Sequence, residues 1–61
     1  MITQGLYYKT ADPSTVVTVI KVIDHTISLH LDEPVALVFG ISCTGCYCQF
    51  GMLENSWTRL I

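Results

Sequence analysis

The chain has 61 residues, of which 51% are hydrophobic and 13% charged, about half the ~25% charge usual in soluble domains, and its net charge is −2. That length makes residues 1–61 a single small domain whose folding hides only about 60% of its unfolded surface, so a disulfide, a metal or oligomerisation is expected to support it. Lys9, Lys21 and Arg59 are too dispersed to track phosphates, and Asp12, Asp24, Asp32, Glu33 and Glu54 too scattered to imitate them, which argues against a nucleic-acid partner.

The opening MITQGLYYK has no basic leader followed by an apolar run, and the longest uninterrupted apolar stretch, Val35 to Phe39, is far too short to cross a bilayer. The expectation is a cytoplasmic protein with no membrane partner. An odd number of cysteines agrees with a reducing compartment.

In chain order, Gly5-Leu6-Tyr7-Tyr8-Lys9 predicts a first strand, ended by the turn formers Thr10 to Ser14. From Thr15 to Asp24 the β-branched run VVTVIKVI predicts a central strand, apolar on both faces except at Thr18 and Lys21. Asp24-His25 is expected to reverse the chain into a half-buried strand, with Ile27, Leu29 and Leu31 alternating with Ser28, His30 and Asp32. Asp32-Glu33-Pro34 breaks that strand, because proline has no N–H for a ladder and restricts its predecessor.

Val35 to Met52, VALVFGISCTGCYCQFGM, then reads as a hairpin holding all three cysteines. Two registers compete. A Thr44-Gly45 loop sets Cys43 against Cys46 and gathers Leu37, Phe39, Ile41, Cys43, Cys46, Cys48, Phe50 and Met52 on one face. A three-residue loop, Cys43-Thr44-Gly45, sets Ser42 against Cys46 with Gly45 in the left-handed position of a bulge. Turn chemistry favours the second, since threonine poorly tolerates positive φ. Side-chain pattern favours the first, which is the expectation adopted, because burial usually decides register. Leu53 to Ser56 suits one helical or 3₁₀ turn, and Trp57 to Ile61 a short closing strand. Gly40, Gly45 and Gly51 suit bend, turn and bulge positions, not a phosphate loop.

Five short antiparallel strands with tight connections, and a 3₁₀ turn before the last segment, suit a small, strongly bent barrel. GLYYK, the turn and VVTVIKVI, then Val35 to Phe39 and the closing LENSWTRL, resemble small SH3-like barrel proteins carried by bacteria and their phages. The resemblance covers most of the chain. It implies a mostly β, five-stranded SH3-like barrel and a phage-derived protein acting on a host protein.

Cys43, Cys46 and Cys48 form C-x₂-C-x-C, whose first pair has the spacing of half a zinc ribbon. A structural zinc needs four ligands, so the alternative metal set is Cys43, Cys46, Cys48 and His25, with His30 the less suited histidine. A thiol redox role would use the same cysteines, but the flanks read as strands, with no helix N-terminus or neighbouring cation to lower a thiol pKa. The expectation adopted is that the thiols are small buried hydrophobes, reduced and without a cofactor. A Cys-His dyad with Asp24 or Asp32 lacks room for a cleft in a domain this small, so no enzyme is expected.

Tyr7 and Tyr8 are neighbours in a strand and point oppositely, so one of them is a surface aromatic. With the two-residue loop, Ala36, Val38 and Tyr47 share the face away from the core. The sequence therefore predicts a non-enzymatic protein-binding module whose contact residues are Val38 and Tyr47, with Tyr7 or Tyr8 at the rim, and whose partner is another protein or a second copy in a homodimer.

Overall fold

The computed structural model describes residues 1–27 and 33–61, apart from the Ile27 side chain. The described residues form five strands: β1 (Gly5–Lys9), β2 (Asp12–Ile27), β3 (Pro34–Ile41), β4 (Tyr47–Leu53) and β5 (Trp57–Arg59). They form one sheet in the order β4-β3-β2-β1-β5, every pairing antiparallel, and no helix occurs among the described residues. The mostly β, five-stranded antiparallel expectation is met at that level. The sheet is open, however, with β4 and β5 at its two edges rather than joined into a closed barrel among the described residues.

β2 is longer than its sequence suggested because Asp24-His25 continues the strand instead of reversing it: Asp24 pairs with Leu37 and His25 with Ala36. The two polar residues are accommodated by irregular pairing. The β2–β3 register shifts between Val19 and Lys21 and again between Val22 and Asp24, so that Ile20 and Ile23 are extra residues on β2. Val19, Val22 and His25 accordingly lie on the face shared with Gly40, Val38 and Ala36, while Lys21 and Asp24 lie on the face of Phe39 and Leu37. The expected strand from Ile27 to Leu31 enters β2 at Ile27; its remainder, with His30, lies outside the described residues.

The hairpin adopts the three-residue loop. Its ladder runs from Val35 opposite Leu53 to Ile41 opposite Tyr47, with Gly40 opposite Cys48 and Val38 opposite Phe50. Ser42 N–H donates to Cys46 O at 2.9 Å, Gly45 N–H donates to Ser42 O at 2.9 Å, and Gly45 has φ +85°. The expected two-residue loop is thereby corrected. Its Thr44 would have needed the positive φ that the observed turn asks only of glycine.

This slip of one residue turns β3 over relative to β4. Ala36 and Val38, fully buried, and Met52 join Ile2, Tyr7, Val17 and Val19 in the core, with Val22, Phe50 and Trp57 packed against it. Leu37 and Phe39, expected inside, stand on the opposite face. Each large apolar side chain removed from water contributes about 1.5–3 kcal/mol, so this choice of face determines much of the domain's stability. Gly40 is needed where β3 pairs with β2 opposite Val19: a Cβ there would collide with the Thr18 carbonyl oxygen.

Leu53 to Ser56 forms one hydrogen-bonded turn, Ser56 N–H to Leu53 O at 2.9 Å, and no 3₁₀ helix extends it. The turn brings β5 back to the far side of β1.

Candidate functional site

Among the described residues, three regions hold side chains with chemistry to offer: the hairpin tip, the corner beneath the N-terminal arm, and the outward face of β2, β3 and β4.

At the tip the three cysteines are free thiols; Cys43 and Cys46 are exposed and Cys48 half-buried. This corrects the expectation of buried thiols. Cys43 falls inside the loop, Cys46 closes it opposite Ser42, and only Cys48, opposite Gly40, reaches the inner face of the sheet. His25 is not brought to them. It pairs with Ala36, and from there to the tip side of Ile41 the ladder runs five residues or about 17 Å at roughly 3.3 Å per residue. Its Nδ1 instead lies 3.5 Å from Glu54 Oε1. The alternative set of Cys43, Cys46, Cys48 and His25 is therefore divided between two ends of the hairpin.

Beneath the N-terminal arm is a concavity of about 360 Å³ lined by Met1, Ile2, Thr3, Tyr7, Glu54, Trp57 and Arg59. Its polar groups are directed at the chain itself. Glu54 Oε1 accepts from Ile2 N–H at 2.7 Å. Arg59 Nη1 donates to Thr3 Oγ1 at 2.8 Å and Tyr7 OH at 3.0 Å, Nη2 donates to Gln4 O at 2.8 Å, and the guanidinium stands 5.6 Å from the Tyr7 ring centre. Tyr7 OH also accepts from Thr3 N–H at 2.9 Å. Burial pushes the Tyr7 phenol up, but the bonds with Thr3 and Arg59 and the guanidinium charge together outweigh it and hold the group below its ordinary value. This corner pins the arm to β1 and β5, with the buried Ile2 as its apolar anchor.

The outward face is the third region. Ile20 and Ile23 are 39% and 42% exposed at the two extra-residue positions, and Leu37 and Phe39 beside them are 37% and 36% exposed. Tyr47, 68% exposed, stacks on Phe39 with ring centres 6.4 Å apart and planes 25° apart. Val16, also exposed, continues the face along β2, and Tyr8 is opposite it on β1.

Of the four contact residues read from the sequence, Tyr47 is on this surface and Tyr8 is half-buried at its margin. Val38 and Tyr7 are corrected to core positions, because the bulged loop puts Val38 opposite Phe50 and because Tyr7 pairs with Val17. The reading missed Ile20, Lys21, Ile23, Asp24, Leu37 and Phe39. A signal existed in the tandem triplets Val19-Ile20-Lys21 and Val22-Ile23-Asp24, whose first member is inward and whose other two share the outer side. Glu54 and Arg59 left no such signal, since their partners are 52 to 56 residues away.

No protein-family model, curated protein or solved structure matches this chain. No helix among the described residues is long and apolar enough to cross a membrane.

Proposed function

We propose that the protein is a non-enzymatic protein-binding module whose contact surface is the outward face of β2, β3 and β4. The observation that carries this reading is the continuity of that face. Leu37 and Phe39 on β3, the extra residues Ile20 and Ile23 of β2 beside them, and Tyr47 of β4 stacked on Phe39 lie on one side of three paired strands and are all exposed. Contiguous apolar surface of this kind is costly in water and marks contact sites. The SH3-like reading is supported by a meander in which the short last strand returns to pair with the first. The proposed phage origin and action on a host protein rest on the resemblance of GLYYK, VVTVIKVI and LENSWTRL alone. Free, exposed thiols suit a reducing compartment such as the cytoplasm.

The test is a pull-down with quantitative mass spectrometry, comparing the wild type with Ile23→Asp and Leu37→Asp after circular dichroism has shown both variants folded. The expected result is a partner retained by the wild type and lost from both. Identical capture by all three moves the contact elsewhere.

A thiol-based role is the second reading, favoured by the exposure of Cys43 and Cys46 at a turn. Zinc held by Cys43, Cys46 and Cys48 would need its fourth ligand from a second molecule or from a histidine other than His25. Native mass spectrometry showing one stoichiometric zinc per chain, with unfolding on chelation, would promote this reading over the first.

A further inference from the structure

We infer that the partner on the outward face is a second copy of this chain, packed face to face about a two-fold axis that crosses β2 between Val22 and Ile23. The inference rests on the contact surface proposed above and names its occupant.

The charges of the face complement themselves. Lys21 and Asp24 lie on the outward side of β2, paired with Phe39 and Leu37, one on each side of the proposed axis. A rotation about that axis lays β2 antiparallel over its copy, which sets each Lys21 above the Asp24 of the other molecule. The patch is then its own complement, as a two-fold interface requires. The chain carries −2 overall, but Lys21 and Asp24 cancel on this face, so two copies meet there without like-charge opposition. Sheets stacked face to face are about 10 Å apart, within the combined reach of a lysine and an aspartate side chain. An ion pair closed off in this way contributes more to orientation than to net affinity.

The area of the face also suits a second copy. The exposed parts of Val16, Ile20, Ile23, Leu37, Phe39 and Tyr47 come to roughly 500 Å². A stable interface covers about 800 Å² on each partner, of which some 60% is apolar, so the face supplies about the apolar area that one side of a dimer needs. The bulges contribute directly. Without them Ile20 and Lys21, or Ile23 and Asp24, could not both face outward.

Analytical ultracentrifugation of the wild type, Lys21→Asp and Asp24→Lys, each checked by circular dichroism, tests the arrangement. The wild type is expected to be dimeric, and each variant alone to have its dissociation constant raised about tenfold or more by like charges brought together. An equimolar mixture of the two variants is expected to recover a heterodimer, because the two aspartates of one variant then meet the two lysines of the other. A dimer unaffected by either substitution, or a mixture that fails to recover, overturns the two-fold packing. A wild type that stays monomeric at every concentration overturns self-association, while the pull-down with Ile23→Asp still decides whether the face binds a different protein. Carbodiimide coupling of mixed isotopically light and heavy wild-type chains needs no variant to fold. A light-to-heavy Lys21–Asp24 crosslink supports the packing, and only same-mass crosslinks at that pair overturn it.

Discussion

From Val16 to Val19, β2 pairs with β1 residue for residue, and its side chains alternate between core and exterior: Val17 and Val19 are buried, while Val16 is exposed. From Val19 to His25 the same strand pairs with β3, but advances three residues between inward positions, at Val19, Val22 and His25. The difference is the pair of extra residues, Ile20 and Ile23. The regular half sends equal numbers of side chains to each side, whereas the bulged half sends two outward for each one inward. A strand can thus carry more apolar residues than its core accepts, and here the surplus is collected on one exposed face.

The largest effects should separate inside from outside. Val38→Asp puts an unpaired charge into the fully buried core, a cost of about 4 kcal/mol or more, and should abolish cooperative thermal unfolding. Leu37→Asp, one residue away but on the outer face, should leave a folded spectrum. If both variants unfold, the contrast between faces fails. Deleting Thr18 is expected to match Val38→Asp in severity, because it forces Val17 or Val19 out of the core in the regular half. Circular dichroism melts decide each case.

Gly40→Ala probes the point where the two halves meet. The added methyl would sit against the Thr18 carbonyl, which is backbone and cannot rotate away, so a loss of about 3 kcal/mol is expected in denaturant titration. Deleting Ile20 should cost less, about 1–2 kcal/mol, because Val19, Lys21 and Val22 then alternate in, out and in without the bulge. A deletion of Ile20 as damaging as that of Thr18 would remove the distinction between the halves.

The strand content was legible because β-branched and aromatic runs have few alternatives: β1 occupies the expected Gly5 to Lys9, and Pro34 and Gly45 mark a strand start and a turn. The faces of β3 were not legible, since Ala36 and Val38 compete with Leu37 and Phe39 as similarly apolar sets. The pattern preferred the larger pair, and the turn decided otherwise through the φ of Gly45. Asp24-His25 suggested a reversal by composition, but a bulge carries the aspartate outward while the strand continues. The locking of the N-terminal arm by Glu54 and Arg59 joins opposite ends of the chain and leaves no local pattern.

The smallest expected effect belongs to the start of β2, before the regular half begins. The Asp12 carboxylate accepts from Ser14 Oγ at 2.6 Å and Thr15 Oγ1 at 2.8 Å. These two bonds, that from Ser14 first, hold its pKa below the ordinary 3.8 although the group is fully exposed. A carboxylate with a lower pKa folded than unfolded binds fewer protons in the native state. Its contribution is therefore complete above the unfolded value and is lost as pH falls through the folded one. Asp12→Asn should accordingly melt slightly below the wild type by a margin that is constant above about pH 5, narrows from about pH 4 downward and closes in stronger acid. A margin independent of pH would mean that the Asp12 bonds to Ser14 and Thr15 shape the turn without coupling its charge to folding.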